Sequence, residues 1–516
     1  MSKVQGGDIV AMRSRLAAVV TLAATVLMAA GCASPVRFPS APLATETTEA
    51  GLVESYDTDG DGRPDYFTTQ DATGRVVRIA YDTTGDGKPD EFVDLDAIPL
   101  SECRHVIFVL DGLGYDAVEA LRREGHLRVF YPPRRIISTF PAMTDLALAD
   151  VFRTGRPESY EAVFYDHRTD RLVGGNADYL SFKNEAWARL VAYRAGPLTD
   201  PLAYLYPEAI FNAELGDFLK VFDRRDRMEL PVYFVSVAGM GTRQGAEGQR
   251  KVLDRVDRLA QQLVWRTRGL VKVTMLSDHG HTLTRAERVD FRPLLAEKGW
   301  RTVERLERPR DVVPIEYGFV TYAAFATRDR AALAADLAGH PAVDLVTYDG
   351  GETVVVEKQG AMAYVERRGG RYRYRAEKGD PLELGPIIEQ MKADGVLDAD
   401  LFADDAEWFK RTVVHRYPDP LHRLWRAFHG VVEQPADVVA SLKENYFAGA
   451  KWRLPWVPFV ASTHGDLGRA SSTAFIISTA GPLLAPDEAA RTTDEPAIFE
   501  KLEGRPWPLA PAGGPR

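Results

Sequence analysis

The sequence predicts an α/β fold in which a mainly parallel sheet is covered by helices on both faces. From about residue 100, apolar runs typical of buried strands alternate with amphipathic segments at helical spacing. The predicted strands include HVIFVLDGLG from His105, PVYFVSVAGMG from Pro231 and LVKVTMLSDHG from Leu270. Predicted helices, YDAVEALRREG from Tyr115 and QRKVLDRVDRLAQQLVWRT from Gln249, lie between them. Strand–helix alternation of this kind favours a parallel sheet.

Composition sets broad limits on the fold and on the partners. The 516 residues suffice for one large domain with additions. A hydrophobic content of 45% and a charged content of 27% are those of a globular protein. The formal net charge is -10 and no cluster of Lys and Arg is present, so we expect no nucleic-acid partner, because phosphate backbones bind basic surfaces.

The first 31 residues have the pattern of a signal peptide. Arg13 and Arg15 precede an apolar stretch that ends in small residues, and this stretch is too short to favour a permanent membrane span. The sequence at 29–32, Ala-Ala-Gly-Cys, resembles the lipobox of bacterial lipoproteins, which implies a lipid on Cys32 and an anchor in the outer membrane or cell envelope. An ordinary cleaved signal with an incidental cysteine is the alternative. Residues 32–52, rich in Pro, Ser, Thr and Ala, are predicted to form a tether.

Residues 53–98 contain an internal repeat, YDTDGDGRPDYF from Tyr56 and YDTTGDGKPDEF from Tyr81, on either side of a predicted β-hairpin. The repeats place oxygen-bearing side chains close together, at Asp57, Asp59, Asp61 and Asp65 and at Asp82, Thr84, Asp86 and Asp90. This spacing predicts a calcium-binding module, because the repulsion among the carboxylates calls for a cation. Thr68 and Val93 stand where an EF-hand has glutamate, so the loops resemble the shorter Asp-rich calcium repeats of secreted proteins. Solvated acidic turns are the alternative.

Four further stretches offer chemically active side chains. Asp111 ends one predicted strand and Asp278-His279 ends another, so both should reach the carboxyl edge of the sheet, where ligands bind in such folds. Thr144 stands where a helix should begin, and His464 lies on a glycine turn before an apolar strand. Each has a structural alternative, as a helix cap or a hydrogen-bonded turn residue. Together, aspartate and histidine are suitable zinc ligands.

These stretches, in this order, resemble the alkaline phosphatase superfamily, most nearly its type I phosphodiesterase/nucleotide pyrophosphatase branch, over about residues 100–485. The resemblance implies an alkaline phosphatase-like sandwich over 99–490. The sequence pattern predicts an inserted subdomain within 284–460 and a tail over 491–516 that wraps in an ordered way before a loose end. It implies a threonine nucleophile, Thr144, one or two divalent ions, expected to be zinc, and a small phosphoester substrate. One metal site would use Asp111, Thr144, Asp278 and His279, and His464 would belong to a second.

The second metal site departs from the family pattern. The superfamily supplies it with an Asp-x-x-Gly-His motif, which aligns with AGMGT on a predicted strand and loop, so Ala238 and Thr242 replace the ligands. Glu247 and His281 are candidates for a substitute ligand. Two functions therefore follow from the sequence: a hydrolase of phosphate monoesters or diesters that is impaired or uses one metal, and a catalytically inactive surface lipoprotein that keeps the fold for binding. The identity of the substrate and the oligomeric state are left open.

The lipid anchor gives a direct prediction. A lipidated chain should partition into the detergent phase, and Cys32→Ser should move it to the aqueous phase, because a lipid chain contributes about 0.8 kcal/mol for each buried methylene group. Partition of the wild-type protein into the aqueous phase would contradict lipidation.

Overall fold

The computed structural model describes residues 34–508 apart from 182–184, 198, 455–456 and 458. The predicted signal peptide and Cys32 lie outside the described residues, so the lipid anchor stays a prediction. Among the described residues, no helix combines the length and the apolar character that crossing a bilayer requires.

The chain begins with a small antiparallel sheet that carries both Asp-rich loops. Its five strands are paired in sequence order: β1 (Ala44–Thr48), β2 (Gly51–Tyr56), β3 (Tyr66–Gln70), β4 (Val76–Tyr81) and β5 (Glu91–Asp94). The first Asp-rich loop joins β2 to β3, and the second joins β4 to β5. A tight turn between β3 and β4, closed by the Gly74 N–H on the Asp71 carbonyl at 2.9 Å, forms the predicted hairpin.

The predicted tether is wrong over residues 36–48. Val36 and Phe38 are buried, and the Phe38 ring packs against Tyr56 and Tyr66 of the small sheet. The Phe38 N–H donates to the Gln262 side-chain oxygen at 3.1 Å, and β1 pairs with β2. Burial of an aromatic side chain and these hydrogen bonds fix a segment whose composition alone suggested a flexible chain.

A six-stranded sheet forms the centre of the molecule, in the order β10-β6-β11-β23-β7-β24. The strands are β6 (Arg104–Leu110), β7 (Arg134–Ile137), β10 (Glu229–Phe234), β11 (Val271–Leu276), β23 (Thr473–Ser478) and β24 (Ala489–Arg491). Strand β23 is antiparallel to both of its neighbours, and the other five strands run in one direction. The sheet is therefore mainly parallel, as the sequence predicts.

Helices cover both faces of this sheet because successive side chains of its strands point to opposite sides. In β6, Val106, Phe108 and Leu110 face one core, which contains α1 (Tyr115–Arg123), α5 (Pro207–Asp223) and α6 (Ser236–Arg266). Ile107 and Val109 face the other core, with α2 (Thr144–Val151), α4 (Asp200–Leu205) and α13 (Glu495–Glu503). The whole is a mixed α/β fold, with 13 helices among the described residues.

The segment from 284 to 460 contributes a second sheet of nine strands, which are antiparallel except for the first pair. In spatial order these are β13 (Arg301–Thr302), β14 (Asp311–Ile315), β15 (Tyr322–Thr327), β21 (Val438–Leu442), β16 (Val343–Asp349), β17 (Thr353–Lys358), β18 (Ala361–Arg368), β19 (Arg371–Lys378) and β20 (Ala403–Asp404). Its core includes Phe140 and Leu146, so the second sheet packs beside the start of α2.

Shorter elements complete the fold. Two small sheets pair β8 (Val163–Asp166) with β9 (Arg171–Gly174) and β12 (Glu287–Arg288) with β22 (Tyr446–Phe447). The remaining helices are α3 (Asn176–Leu180), α7 (Arg292–Glu297), α8 (Arg330–Ala338), α9 (Gly385–Ala393), α10 (Asp405–Thr412), α11 (Pro420–His429) and α12 (Arg469–Ser472).

The C-terminal segment, predicted as a tail from residue 491, belongs to the central domain as far as it is described. Helix α13 packs against α2, with Phe499 buried in the core. Trp507 is also buried, and its indole N–H donates to the Val151 carbonyl at 2.8 Å. The apolar side chains of this segment therefore stabilise the helix that begins at Thr144.

The central core gives a stability prediction. Phe108 is 0% exposed, and its ring lies 5.0 Å from that of Phe218 between centroids. We expect Phe108→Ala to lower the free energy of unfolding by about 3–5 kcal/mol, measured by urea titration. The control is Phe92→Ala, a side chain that is 59% exposed on β5, and this change should stay within about 0.5 kcal/mol of wild type. Equal losses in the two variants would contradict this core.

Candidate active site

Two neighbouring strands bring the predicted acidic residues to one edge of the central sheet. Strands β6 and β11 are parallel and paired, and Asp111 and Asp278 follow their carboxyl ends. The Gly112 N–H donates to the Asp278 carboxylate at 3.0 Å and so ties one strand end to the other. Both aspartates are buried. The structure therefore places together the two carboxylates that the strand ends predict.

Thr144 and His279 complete this group. Thr144 is the first residue of α2, and its hydroxyl oxygen lies 3.3 Å from His279 Nε2. The same nitrogen lies 3.2 Å from a carboxylate oxygen of Asp278 and 3.9 Å from one of Asp111. The hydroxyl of the nearby Thr139 instead donates to the Pro141 carbonyl at 2.7 Å. Thr144 is thus the threonine that the structure places at the carboxylates.

The acceptor atoms of Asp111, Asp278 and His279 face one another with too few hydrogen-bond donors among them. Asp111 Oδ1 and Asp278 Oδ2 are buried and have no hydrogen-bond partner among the described residues. His279 Nδ1 lies 3.0 Å from the Gly280 carbonyl, so Nδ1 carries the proton and Nε2 presents its lone pair. Buried acceptors in this arrangement are costly unless a proton or a cation satisfies them. Two carboxylates, one imidazole nitrogen and a hydroxyl are a donor set that suits zinc.

Tyr233 is a neighbour of the site that the sequence analysis missed. It lies in β10, it is buried, and its hydroxyl donates to Asp111 Oδ2. The hydrogen bond occupies one oxygen of Asp111 and leaves the other directed at the group. No sequence motif marks this tyrosine, because the contact depends on the pairing of β10 with β6.

Burial and charge perturb the titration of these groups. Burial raises the pKa of Asp111 well above its usual range, and the nearby Asp278 carboxylate raises it further. Burial lowers the pKa of His279 to about 4 and that of His464 to about 3. The imidazoles are therefore neutral at pH 7 and can act as ligands, and a bound cation would offset the repulsion between the carboxylates.

His464 lies against this group on the loop before β23. Its ring stacks on that of His279 with 3.9 Å between centroids. His464 Nδ1 lies 2.8 Å from the Ala142 carbonyl, so its proton is on Nδ1 and Nε2 is free to accept. The loop that precedes α2 thus orients both the predicted nucleophile and this histidine.

Ala238 and Thr242 lie in the first turns of α6, and their predicted placement on a strand and loop is wrong. Strand β10 ends at Phe234 and the helix begins at Ser236, where Glu214 accepts hydrogen bonds from the N–H groups of Val235 and Ser236. Residues four apart share one helix face. Thr242 lines the same cleft as His464, so this face lies beside the site, but neither side chain is a strong metal ligand.

The two candidates for a substitute ligand have different positions. Glu247 is exposed on α6 and pairs with Lys251 at 2.9 Å. His281 is buried, and one of its nitrogens lies within 4.8 Å of nitrogens of His279 and His464. The structure thus brings His281 into the site and leaves Glu247 at the surface.

The site opens into a cleft that encloses about 1050 Å³, including open solvent. Asp111, Thr144, Thr242 and His464 line this cleft. The lining also includes aromatic and cationic side chains, namely Tyr160, Tyr179, Trp187, Tyr204, Tyr317, Arg194 and Arg453. The Arg453 guanidinium lies 4.0 Å from the centroid of the Tyr317 ring. The cleft is large enough for a small organic anion.

Comparisons with known proteins find resemblance only among solved structures. No family model matches the chain, and no curated protein matches it. The chain is similar to murine ectonucleotide pyrophosphatase/phosphodiesterase 5, with 13% identity, a TM-score of 0.42, and coverage of 80% of this chain and 97% of that one. It is also similar to phosphonoacetate hydrolase from Sinorhizobium meliloti 1021 in complex with phosphonoformate, with 14% identity, a TM-score of 0.40, and coverage of 82% and 99%.

The hydrogen bond from Tyr233 can be tested by metal binding. Tyr233→Phe removes the donor that orients Asp111, so we expect zinc affinity to fall by about 10–100-fold in competition with a chromophoric chelator. Tyr193→Phe is the control, because that ring packs on Phe234 and lies outside the group. Unchanged affinity in Tyr233→Phe would show that the hydrogen bond does not support a metal ligand.

Proposed function

We propose that the protein is a metal-dependent hydrolase of phosphate monoesters or diesters and that Thr144 is its nucleophile. The observation that carries the proposal is the position of the Thr144 hydroxyl, 3.3 Å from His279 Nε2 and beside two buried carboxylates. A lone threonine hydroxyl is a weak nucleophile, so it requires activation by its surroundings. The side chains of Asp111, Asp278 and His279 lie beside the hydroxyl and can provide this activation.

The residues around Thr144 fit a divalent ion, which we expect to be zinc. Asp111, Asp278 and His279 would hold it, together with the Thr144 hydroxyl. When bound, the ion would supply positive charge that lowers the pKa of the threonine hydroxyl and offsets the charge of the phosphoryl group. The partner-free oxygens of Asp111 and Asp278 support this assignment, because such buried oxygens favour a cation.

The reaction follows from the position of Thr144 at the start of α2. The first N–H groups of a helix have no intrahelical acceptor, so those of α2 can bind a phosphoryl oxygen. Thr144 Oγ forms a bond to phosphorus, and the bond from phosphorus to the leaving alcohol breaks. Water then cleaves the phosphothreonine, which releases phosphate or a phosphomonoester and restores the hydroxyl. Arg453 and the tyrosines of the cleft would contact the rest of the substrate.

A catalytically inactive binding protein is the second candidate. The observation that favours it is the pair Ala238 and Thr242, which supplies no strong metal ligand at the face of α6 beside His464. In that case the cleft would bind a phosphorylated ligand without hydrolysing it.

Substitution of Thr144 separates the two candidates. With zinc present, the wild-type protein should hydrolyse p-nitrophenyl phosphate or bis(p-nitrophenyl) phosphate. Thr144→Ala should lower kcat/KM by about 10³-fold or more, because the attacking atom is removed. Thr139→Ala is the matched control and should stay within about fivefold, since its hydroxyl is bonded to the Pro141 carbonyl. Equal rates for Thr144→Ala and wild type would exclude this nucleophile, and a wild type that is inactive on both esters would favour the binding protein.

We also propose that the two Asp-rich loops bind calcium. The carboxylates of Asp57, Asp59 and Asp61 offer oxygen atoms within 4.8 Å of one another. Both oxygens of Asp57 accept backbone N–H groups, from Gly60 at 2.6 Å and Gly62 at 2.8 Å, which closes the first loop. Asp82 makes the corresponding contacts with Gly85 and Gly87 in the second loop. The two loops therefore share this pattern of backbone contacts, which supports a site in each.

Calcium titration tests these loops. Calorimetry should detect two ions per chain at millimolar calcium or below, and Asp57→Asn with Asp82→Asn should remove most of the heat. Glu46→Gln, on the exposed strand β1, removes a carboxylate outside the loops and should leave the titration unchanged. If wild type gives no binding heat at millimolar calcium, the loops are acidic turns.

A further inference from the structure

His281 is a buried histidine that the proposed one-metal site does not use. Its ring lies in a stack with two others, 5.2 Å from the centroid of His464 and 6.1 Å from that of His279, and the ring planes are within 27° of parallel. One nitrogen from each of the three rings lies within 4.8 Å of the others. His279 directs its Nε2 to Asp111 and Asp278, which leaves His281 and His464 as a separate pair.

Hydrogen bonds fix the tautomer of His281. The Ser462 hydroxyl donates its one proton to the Gly241 carbonyl at 3.0 Å. The same oxygen lies 2.7 Å from His281 Nδ1, so it must accept a proton from that nitrogen. His281 Nε2 therefore carries a lone pair, and it is buried with no hydrogen-bond partner among the described residues. His464 Nε2 also carries a lone pair, because His464 Nδ1 donates to the Ala142 carbonyl.

Two glycines make room for the His281 ring. A Cβ on Gly112 would lie 2.5 Å from His281 Nε2, closer than real Cβ contacts, and Gly112 has a φ of +73° that favours glycine. A Cβ on Gly241 would lie 3.1 Å from His281 Nδ1. Gly241 directly precedes Thr242 in α6, so the ring packs against the helical turn that carries no strong ligand of its own.

We propose that His281 and His464 hold a second divalent ion through their Nε2 atoms and so replace the ligands missing at Ala238 and Thr242. Histidines that bind zinc usually donate the other ring proton to a carbonyl or another acceptor, and both rings have this arrangement here. Two imidazoles leave coordination positions open for water or a phosphate oxygen. The role of this ion rests on the proposed function. The second ion would lie beside Thr144 and add positive charge where the phosphoryl group binds.

Metal stoichiometry tests this site. After equilibrium dialysis against zinc and chelator, mass spectrometry of the metal content should find two ions per wild-type chain, one in His281→Gln and one in Asp111→Asn. His126→Gln is the matched control, because this partly exposed imidazole at the end of α1 pairs with Asp257 outside the site, and it should keep two ions. Circular dichroism in excess chelator should show the same fold in all four proteins.

A second variant covers the case in which His281→Gln does not fold. Ser462→Ala keeps the imidazole and removes its acceptor, so it should weaken binding of one ion by about 10–100-fold and leave the other unchanged. Two ions retained with wild-type affinity in His281→Gln and Ser462→Ala would overturn the inference. One ion in wild type, lost only in Asp111→Asn, would overturn it and leave the proposed function standing. No ion in wild type would contradict both.

Discussion

The arrangement at the site depends on one constraint: buried lone pairs at the ends of β6 and β11 face one another with too few donors. Carboxylate oxygens of Asp111 and Asp278 lack partners, and the Nε2 atoms of His279 and His281 are directed inwards as acceptors. Removing several acceptors from water without donors is unfavourable, and repulsion between the carboxylates adds to the cost. Divalent ions would satisfy all of these atoms at once.

The rest of the fold holds these acceptors in place. The parallel pairing of β6 with β11 brings two chain segments to one edge, and the Gly112 N–H links them. Backbone carbonyls at Gly280 and Ala142 fix the tautomers of His279 and His464. Because carbonyls set these tautomers, the lone pairs do not depend on flexible side chains, and the site is organised before any ligand binds.

The sequence predicts the elements of the site that depend on local pattern. Asp111 and Asp278 follow apolar strands, so the strand ends suffice to place them at one edge of the sheet. Thr144 begins a helix, as the pattern predicts, but only the resemblance to a known family placed it beside the two aspartates. Contacts between distant segments could not be predicted. Phe38 is buried through partners that include Gln262, more than 200 residues away, and the tautomer of His281 is set by Ser462 on another loop. The sequence pattern also does not predict that α6 begins directly after β10, because the apolar residues and glycines there fit a strand or a buried helix equally well.

We propose that Asp111, Asp278 and His279 hold a metal ion beside the Thr144 hydroxyl. Anomalous diffraction from crystals grown with zinc, recorded on both sides of the zinc absorption edge, tests it most directly. We expect an anomalous peak at about 2.0–2.2 Å from carboxylate oxygens of the two aspartates and from His279 Nε2. A zinc-saturated crystal without a peak among these three side chains would contradict it.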